Sequence, residues 1–200
     1  WEGVGLCSYL LISFWFGKKS AVFGGVKAFI VNRVADTGFI LGIIALFYYA
    51  GPVGYSELFI KLHHFSPIMV NTVGTFLLIG AMGKSAQLPF HVWLPASMEG
   101  PTPISALIHA ATMVTAGVYL LLRLAPLFAM SLLLRDLILI VGAASVYLLG
   151  VLALMQFDLK RILVYSTMSQ LGFMFAGCGI LAFSSSLHLL IKHSKVLRSY

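Results

Sequence analysis

The sequence predicts an all-α fold, a polytopic bundle of transmembrane helices, and three observations carry that prediction. The first is composition. Of 200 residues, 60% are hydrophobic and only 10% charged, and the mean hydropathy is +0.99. Soluble domains run at about 45–50% apolar and about 25% charged, so lipid is the solvent that suits this chain. The second is segmentation: apolar runs alternate with short polar loops, and the length allows roughly six or seven crossings at about 20 residues each. The third is the placement of basic residues. Lys18, Lys19, Lys27, Lys160 and Arg161, with Lys192, Lys195 and Arg198 of the tail, fall on one side of the alternation. Lys61, Arg123 and Arg135 fall on the other. This is a positive-inside bias, so the net charge of +7 reads as a topology signal and no nucleic-acid partner is expected.

The segments follow in order along one membrane domain, 1–200, with no hydrophilic stretch long enough for a second. Residues 1–16 read as the second half of a helix, followed by a loop, "GKKSAVFGG". A second helix covers about 28–50. The stretch "GPVGYSELFIKLHHFSP" reads as a polar loop with a short amphipathic piece. The third helix runs from about 68 to 94 and contains Lys84 and Pro89. The fourth covers about 103–123 and opens after "EGPTP"; the fifth covers about 133–155; "QFDLKR" is a tight turn; the sixth covers about 161–183. A partial seventh spans 187–200. The chain opens on Trp1 inside an apolar run and closes on a basic stretch, so both ends look cut from something longer. Cys7 and Cys178 lie in apolar runs with no ligand or disulfide spacing, and read as packed small hydrophobes.

Several ionisable groups fall inside these apolar runs: Glu2, Arg33, Asp36, Lys84 and His109. A charge at the bilayer centre costs at least about 2.5–3.5 kcal/mol, so such groups are paired, hydrated or used. Arg33 and Asp36 are three apart and share a helix face. They suit either a self-neutralising pair or a device that tunes a titratable neighbour. Lys84 sits in "GAMGKSAQLPF". Pro89 removes a backbone hydrogen bond and clashes with the preceding turn, so this helix should be interrupted between Met82 and Pro89. A lysine desolvated at such a break can trade its proton; one near an interface simply snorkels. Ser105, His109 and Thr112 fall at i, i+4 and i+7, a polar stripe suited either to a hydrogen-bonded core histidine or to a proton relay. Glu2 is too near the start of the chain for its depth to be judged. Arg161, Tyr165 and Ser169 form another stripe. No dinucleotide-binding, P-loop, iron–sulfur or haem spacing occurs, so no cofactor is expected in this chain.

Five stretches, "WEGVGLCSYLLISFW", "KAFIVNRVADTGF", "GKSAQLPFHVWLP", "MEGPTPISALIHAATMVTAGVYL" and "DLKRILVYSTMSQLGFM", resemble successive segments of the chain 5 family of NADH–ubiquinone oxidoreductase, in the same order. The wider family includes chains 2 and 4 of that complex and the large subunits of Mrp-type sodium/proton antiporters. The resemblance runs from Trp1 to about Ser186 and would correspond to roughly the middle third of a chain 5. It implies that Glu2 pairs with Lys84 at the break of a discontinuous helix and that His109 lies on the onward proton path. Arg33 and Asp36 match family positions on the intervening helix. It also implies a proton-translocating subunit of respiratory complex I, with NADH, FMN, iron–sulfur clusters and ubiquinone bound by other subunits. Partners would be other membrane-arm subunits, especially chain 4, and membrane lipids. The membrane would be the mitochondrial inner membrane or, alternatively, a bacterial plasma membrane. Two other readings stand beside it: an Mrp-type cation/proton antiporter subunit, and a non-pumping scaffold.

The chain departs from the family pattern twice. Ala96 stands in "WLPASMEGP" where the family reads aspartate, and after His188 the tail places Lys192 and His193 out of register.

Overall fold

The computed structural model describes residues 1–102, 108 and 112–196, with side chains as far as Lys192. The described residues are helical and contain no strand, as the composition predicts. Helix α1 is Glu2–Ile12, α2 is Lys19–Ala50, α3 is Tyr55–Lys61 and α4 is Pro67–Lys84. The short turns Phe90–Val92 and Ser97–Glu99 flank the four-residue α5, Trp93–Ala96. Then come α6, Met113–Arg123, α7, Ala125–Ala129, α8, Leu132–Leu154, α9, Leu159–Gly179, and α10, Phe183–Val196. Four of these, α2, α4, α8 and α9, are long and apolar enough to cross a membrane.

Two boundaries differ from the sequence reading. The stretch expected as the loop "GKKSAVFGG" is helical from Lys19, so α2 has 32 residues, about 48 Å at 1.5 Å per residue. That exceeds a hydrocarbon core of about 30 Å, so α2 is longer than a single perpendicular crossing requires. The expected helix 103–123 is described only as α6; residues 103–107 and 109–111 lie outside the described residues.

The interruption in the third segment occurs where it is expected, and its geometry is a helix-ending turn. The Gln87 amide donates to the Met82 carbonyl (2.9 Å) and the Ala86 amide to that of Gly83 (3.2 Å). Ala86 has φ +49°. These are the paired 6→1 and 5→2 bonds of a Schellman ending, with alanine in the left-handed seat that glycine usually takes. Lys84 is the last residue of α4, and three tethers hold the chain beyond it. Ser85 Oγ donates to the Val114 carbonyl of α6 (2.8 Å). The Trp93 indole N–H donates to the Gly83 carbonyl (3.0 Å). The Leu88 amide donates to Ser145 Oγ of α8 (3.2 Å). The carbonyls and amides freed by the break are thus answered inside protein, as lipid demands.

Helices α2 and α4 pack closely because both present small residues at the contact. A Cβ on Gly38 would stand 2.8 Å from Ile79 Cγ2, and one on Gly83 would overlap the Cβ of Ala35. This contact sets the middle of α2 against the end of α4. Lys27 of α2 and Arg161 of α9 line one cleft, and the Arg123 guanidinium lies over the Tyr55 ring (4.5 Å).

Candidate functional site

Arg33 and Asp36 lie near the midpoint of α2, inside a helix long and apolar enough to cross a membrane. They do not neutralise each other. Asp36 reaches α4: its Oδ2 is 2.8 Å from Lys84 Nζ, and the two side chains are 3% and 1% exposed. Arg33 reaches α1: its guanidinium is 2.6 Å from Glu2 Oε2, with side chains 47% and 38% exposed. Residues three apart diverge by about 60° around a helix. Since α2 lies between α1 and α4, that angle sends one residue to each neighbour. The pair Glu2–Lys84 implied by the resemblance is therefore not the one formed here.

The helix that carries Glu2 nevertheless touches the lysine. Gly5, one turn further on α1, lies against Lys84, and a Cβ there would stand 3.2 Å from the ammonium. Glu2 Oε1 is buried with no hydrogen-bond partner among the described residues. So is Oδ1 of Asn32, four residues before Asp36. The site holds two buried acceptors in reserve beside one fully engaged carboxylate.

Trp1 completes the surroundings. Its indole N–H donates to Asp36 Oδ1 (2.7 Å), so each carboxylate oxygen of Asp36 has one donor. The ring stacks on Phe39 (4.3 Å between centroids), and its centroid is 5.6 Å from Lys84 Nζ. A cation over an indole gains further attraction where water is excluded. The ammonium thus has a carboxylate and an aromatic ring in place of water, which is how a buried charge is tolerated.

Beyond the break, Gln87 is fully buried. Its Nε2 donates to the carbonyls of Ser85 (3.0 Å) and Met168 (3.4 Å), and its Oε1 has no partner among the described residues. Sequence reading passed over Gln87 and Ser145. Two polar residues within apolar runs were the available signal. Of the predicted stripe, Ser105 and His109 lie outside the described residues, and Thr112 is the exposed residue preceding α6.

A buried lysine paired with a carboxylate at the end of a broken helix defines a class: membrane proteins that use intramembrane charge to move ions. Residues 1–197 match the family described as NADH:quinone oxidoreductase/Mrp antiporter, transmembrane, and the chain belongs to that family. It is 49% identical over 201 residues to NADH-quinone oxidoreductase subunit L of Rickettsia felis, covering 97% of this chain and 31% of the relative. It is 50% identical over 200 residues to the chloroplastic NAD(P)H-quinone oxidoreductase subunit 5 of Poa pratensis, covering 97% and 28%. Among solved structures, the Mrp complex from Dietzia sp. DQ12-45-1b contains a chain that superposes with a TM-score of 0.87 at 30% identity, covering 98% of this chain and 22% of that one. The chain thus spans about a third of the length of the curated relatives it matches.

Proposed function

We propose that this chain forms the ion-pair portion of a proton-translocating membrane-arm subunit of NADH:quinone oxidoreductase, with Lys84 as the group that takes up and releases the proton. The observation that carries this reading is Lys84 itself: buried, ending a broken helix, and held by Asp36 at 2.8 Å. Asp36 and the Trp1 ring favour the ammonium, while burial favours the amine. What decides between them is the number of carboxylates near Nζ. Glu2, now on Arg33, is the movable one. Its pair is half-exposed, and its second oxygen is buried without a partner among the described residues. Swinging Glu2 toward Lys84 adds a second anion and holds the proton; returning it to Arg33 withdraws that anion and lets the proton leave. His109, 25 residues on in sequence, is the proposed acceptor, with Ser105 and Thr112 as hydroxyl neighbours. Electron transfer in other subunits, which would hold FMN, iron–sulfur clusters and ubiquinone, would drive the swing electrostatically. Chain 4 of the same membrane arm is the proposed neighbour, and the mitochondrial inner membrane the proposed location, with a bacterial plasma membrane as alternative.

The test uses the complete subunit in its assembled complex. Lys84→Met should abolish this subunit's share of proton transport in vesicles. Lys84→Arg should impair it equally, because a guanidinium does not release its proton in this range. Full transport by the arginine variant would reduce Lys84 to a fixed charge and sink the proposal. The structural likeness to the Mrp complex supports a second reading, a cation/proton antiporter subunit. Co-purification with flavin and iron–sulfur subunits separates the two.

A further inference from the structure

A cleft of about 370 Å³ opens between the first turns of α2, the Phe90–Glu99 segment and the first turns of α9. It plays no part in the ion-pair site. Its polar lining is Ser20 and Lys27 from α2, His91 and Glu99 from the connecting segment, and Arg161 and Tyr165 from α9. Three separate elements bring cationic or titratable nitrogen to one hollow. Neither Lys27 nor Arg161 forms an ion pair with a described residue. With Glu99 the only carboxylate in the lining, two cations face one anion.

We propose that this cleft binds the phosphate-bearing headgroup of an anionic membrane phospholipid. The position selects the ligand's second half. Phe23, which lines the cleft, is 70% exposed, and Leu159 in the same turn of α9 as Arg161 is 72% exposed; Ile162 and Leu163 are exposed beside them. A soluble anion has no use for that surround. A phospholipid seats its phosphate on Lys27 and Arg161 and lays its chains over these side chains. The cleft also lies at the end of the molecule richest in Lys and Arg, where juxtamembrane cations attract anionic headgroups. Ser20 and Tyr165 supply hydroxyl donors, and Pro95 and Ala96 close the floor. Ala96 is the position where the family resemblance expects an aspartate; its methyl leaves the hollow without a second anion.

His91 adds a dependence on pH. Burial chiefly, and then Lys27, hold its ring below the ordinary histidine value against the opposing bond to the Pro89 carbonyl. The other charged or titratable groups facing it are Glu99 of its own segment and Arg161 and Tyr165 of α9. A bound phosphate offsets Lys27 and favours the imidazolium, so by linkage binding strengthens as pH falls.

The experiment uses the assembled complex in vesicles containing photoactivatable phosphatidylglycerol or phosphatidylcholine. Phosphatidylglycerol should label peptides bearing Lys27, His91 or Arg161, and should do so more at pH 6 than at pH 8. Substituting Lys27→Gln with Arg161→Gln should cut that label roughly 30-fold, two basic contacts at the usual interfacial strength. Should that double variant fail to assemble, Lys27→Gln alone should lose about fivefold while Arg161→Lys keeps most of the label. Equal labelling by phosphatidylcholine, no labelling at all, or a label indifferent to both substitutions overturns the proposal. Competition by millimolar inorganic phosphate also overturns it, because the cleft would then be a site for free anions.

Discussion

The Lys84–Asp36 pair can be weighed by removing its two charges separately and together. Asp36→Asn keeps the Oδ1 that accepts from the Trp1 indole but deletes the charge 2.8 Å from Lys84 Nζ. At an effective dielectric of about 20, two unit charges at that distance attract by about 6 kcal/mol. Desolvation offsets much of this, and breaking a buried pair by removing one partner typically costs about 3–5 kcal/mol. Lys84→Met strands the Asp36 carboxylate and should cost a similar amount. The double variant leaves a neutral amide and a thioether in the same volume, and replacing a buried pair by neutral groups is often nearly neutral. A double-mutant cycle should therefore return a coupling of about 3 kcal/mol or more. The readouts are the yield of assembled complex and its thermal dissociation. Each single variant should fall and the double should recover toward the parent. Additive losses, with the double variant worse than either single, would mean that Lys84 and Asp36 do not share their charge, and the geometry argued here would fail. Proton transport should stay low in Lys84→Met and in the double variant, because even the recovered double variant has no lysine.

Two further expectations follow from the neighbouring groups. Glu2→Gln should lower proton transport with less loss of assembled complex than Lys84→Met, since its pair is 38% and 47% exposed where that of Lys84 is buried; transport per electron equal to the parent's would remove Glu2 from the mechanism. Trp1→Phe keeps the stack on Phe39 but deletes the indole N–H to Asp36, a bond to a charged group that contributes about 1.5–3 kcal/mol; thermal dissociation should drop accordingly, and an unchanged transition would show that the bond is not formed in the assembled complex.

The fold was legible because composition leaves little choice: a chain this apolar must satisfy its backbone inside helices or a closed barrel, and the loops mark the helices' ends. The break at Lys84 was legible for a related reason, since Gly83, Ser85 and Pro89 crowd one stretch. Its mechanics were not. The turn relies on Ala86 at positive φ, and nothing about alanine announces that. The misread loop at residues 19–25 has a physical cause. Gly24 and Gly25 read as breakers, but they are helix positions where other chain comes close: a Cβ on Gly25 would stand 3.2 Å from the Tyr9 carbonyl. The identity of Lys84's partner was the larger miss. Spacing along one helix proposes Arg33 with Asp36, whereas partners across helices depend on which faces meet. Ala35, Gly38 and Gly42 on α2, matched by Gly80 and Gly83 on α4, are the small-residue signal that those faces touch. Asp36 borders that stripe, and Arg33 does not.

The two ion pairs differ in a way that assigns their roles. Lys84 and Asp36 are almost wholly buried, so separating them without a replacement partner leaves bare charge in a low-dielectric interior. Glu2 and Arg33 are about half exposed, so this chain encloses their charges far less than those of the inner pair. The outer pair is therefore the one that opens at little cost. It also contains the spare buried oxygen, Glu2 Oε1, and its helix touches the lysine at Gly5. A signal from a neighbouring subunit need only change the charge near Arg33 to free Glu2; it does not have to pull Lys84 from Asp36. In the cycle proposed above, Asp36 would keep the lysine seated throughout, and Glu2 would decide when the proton stays.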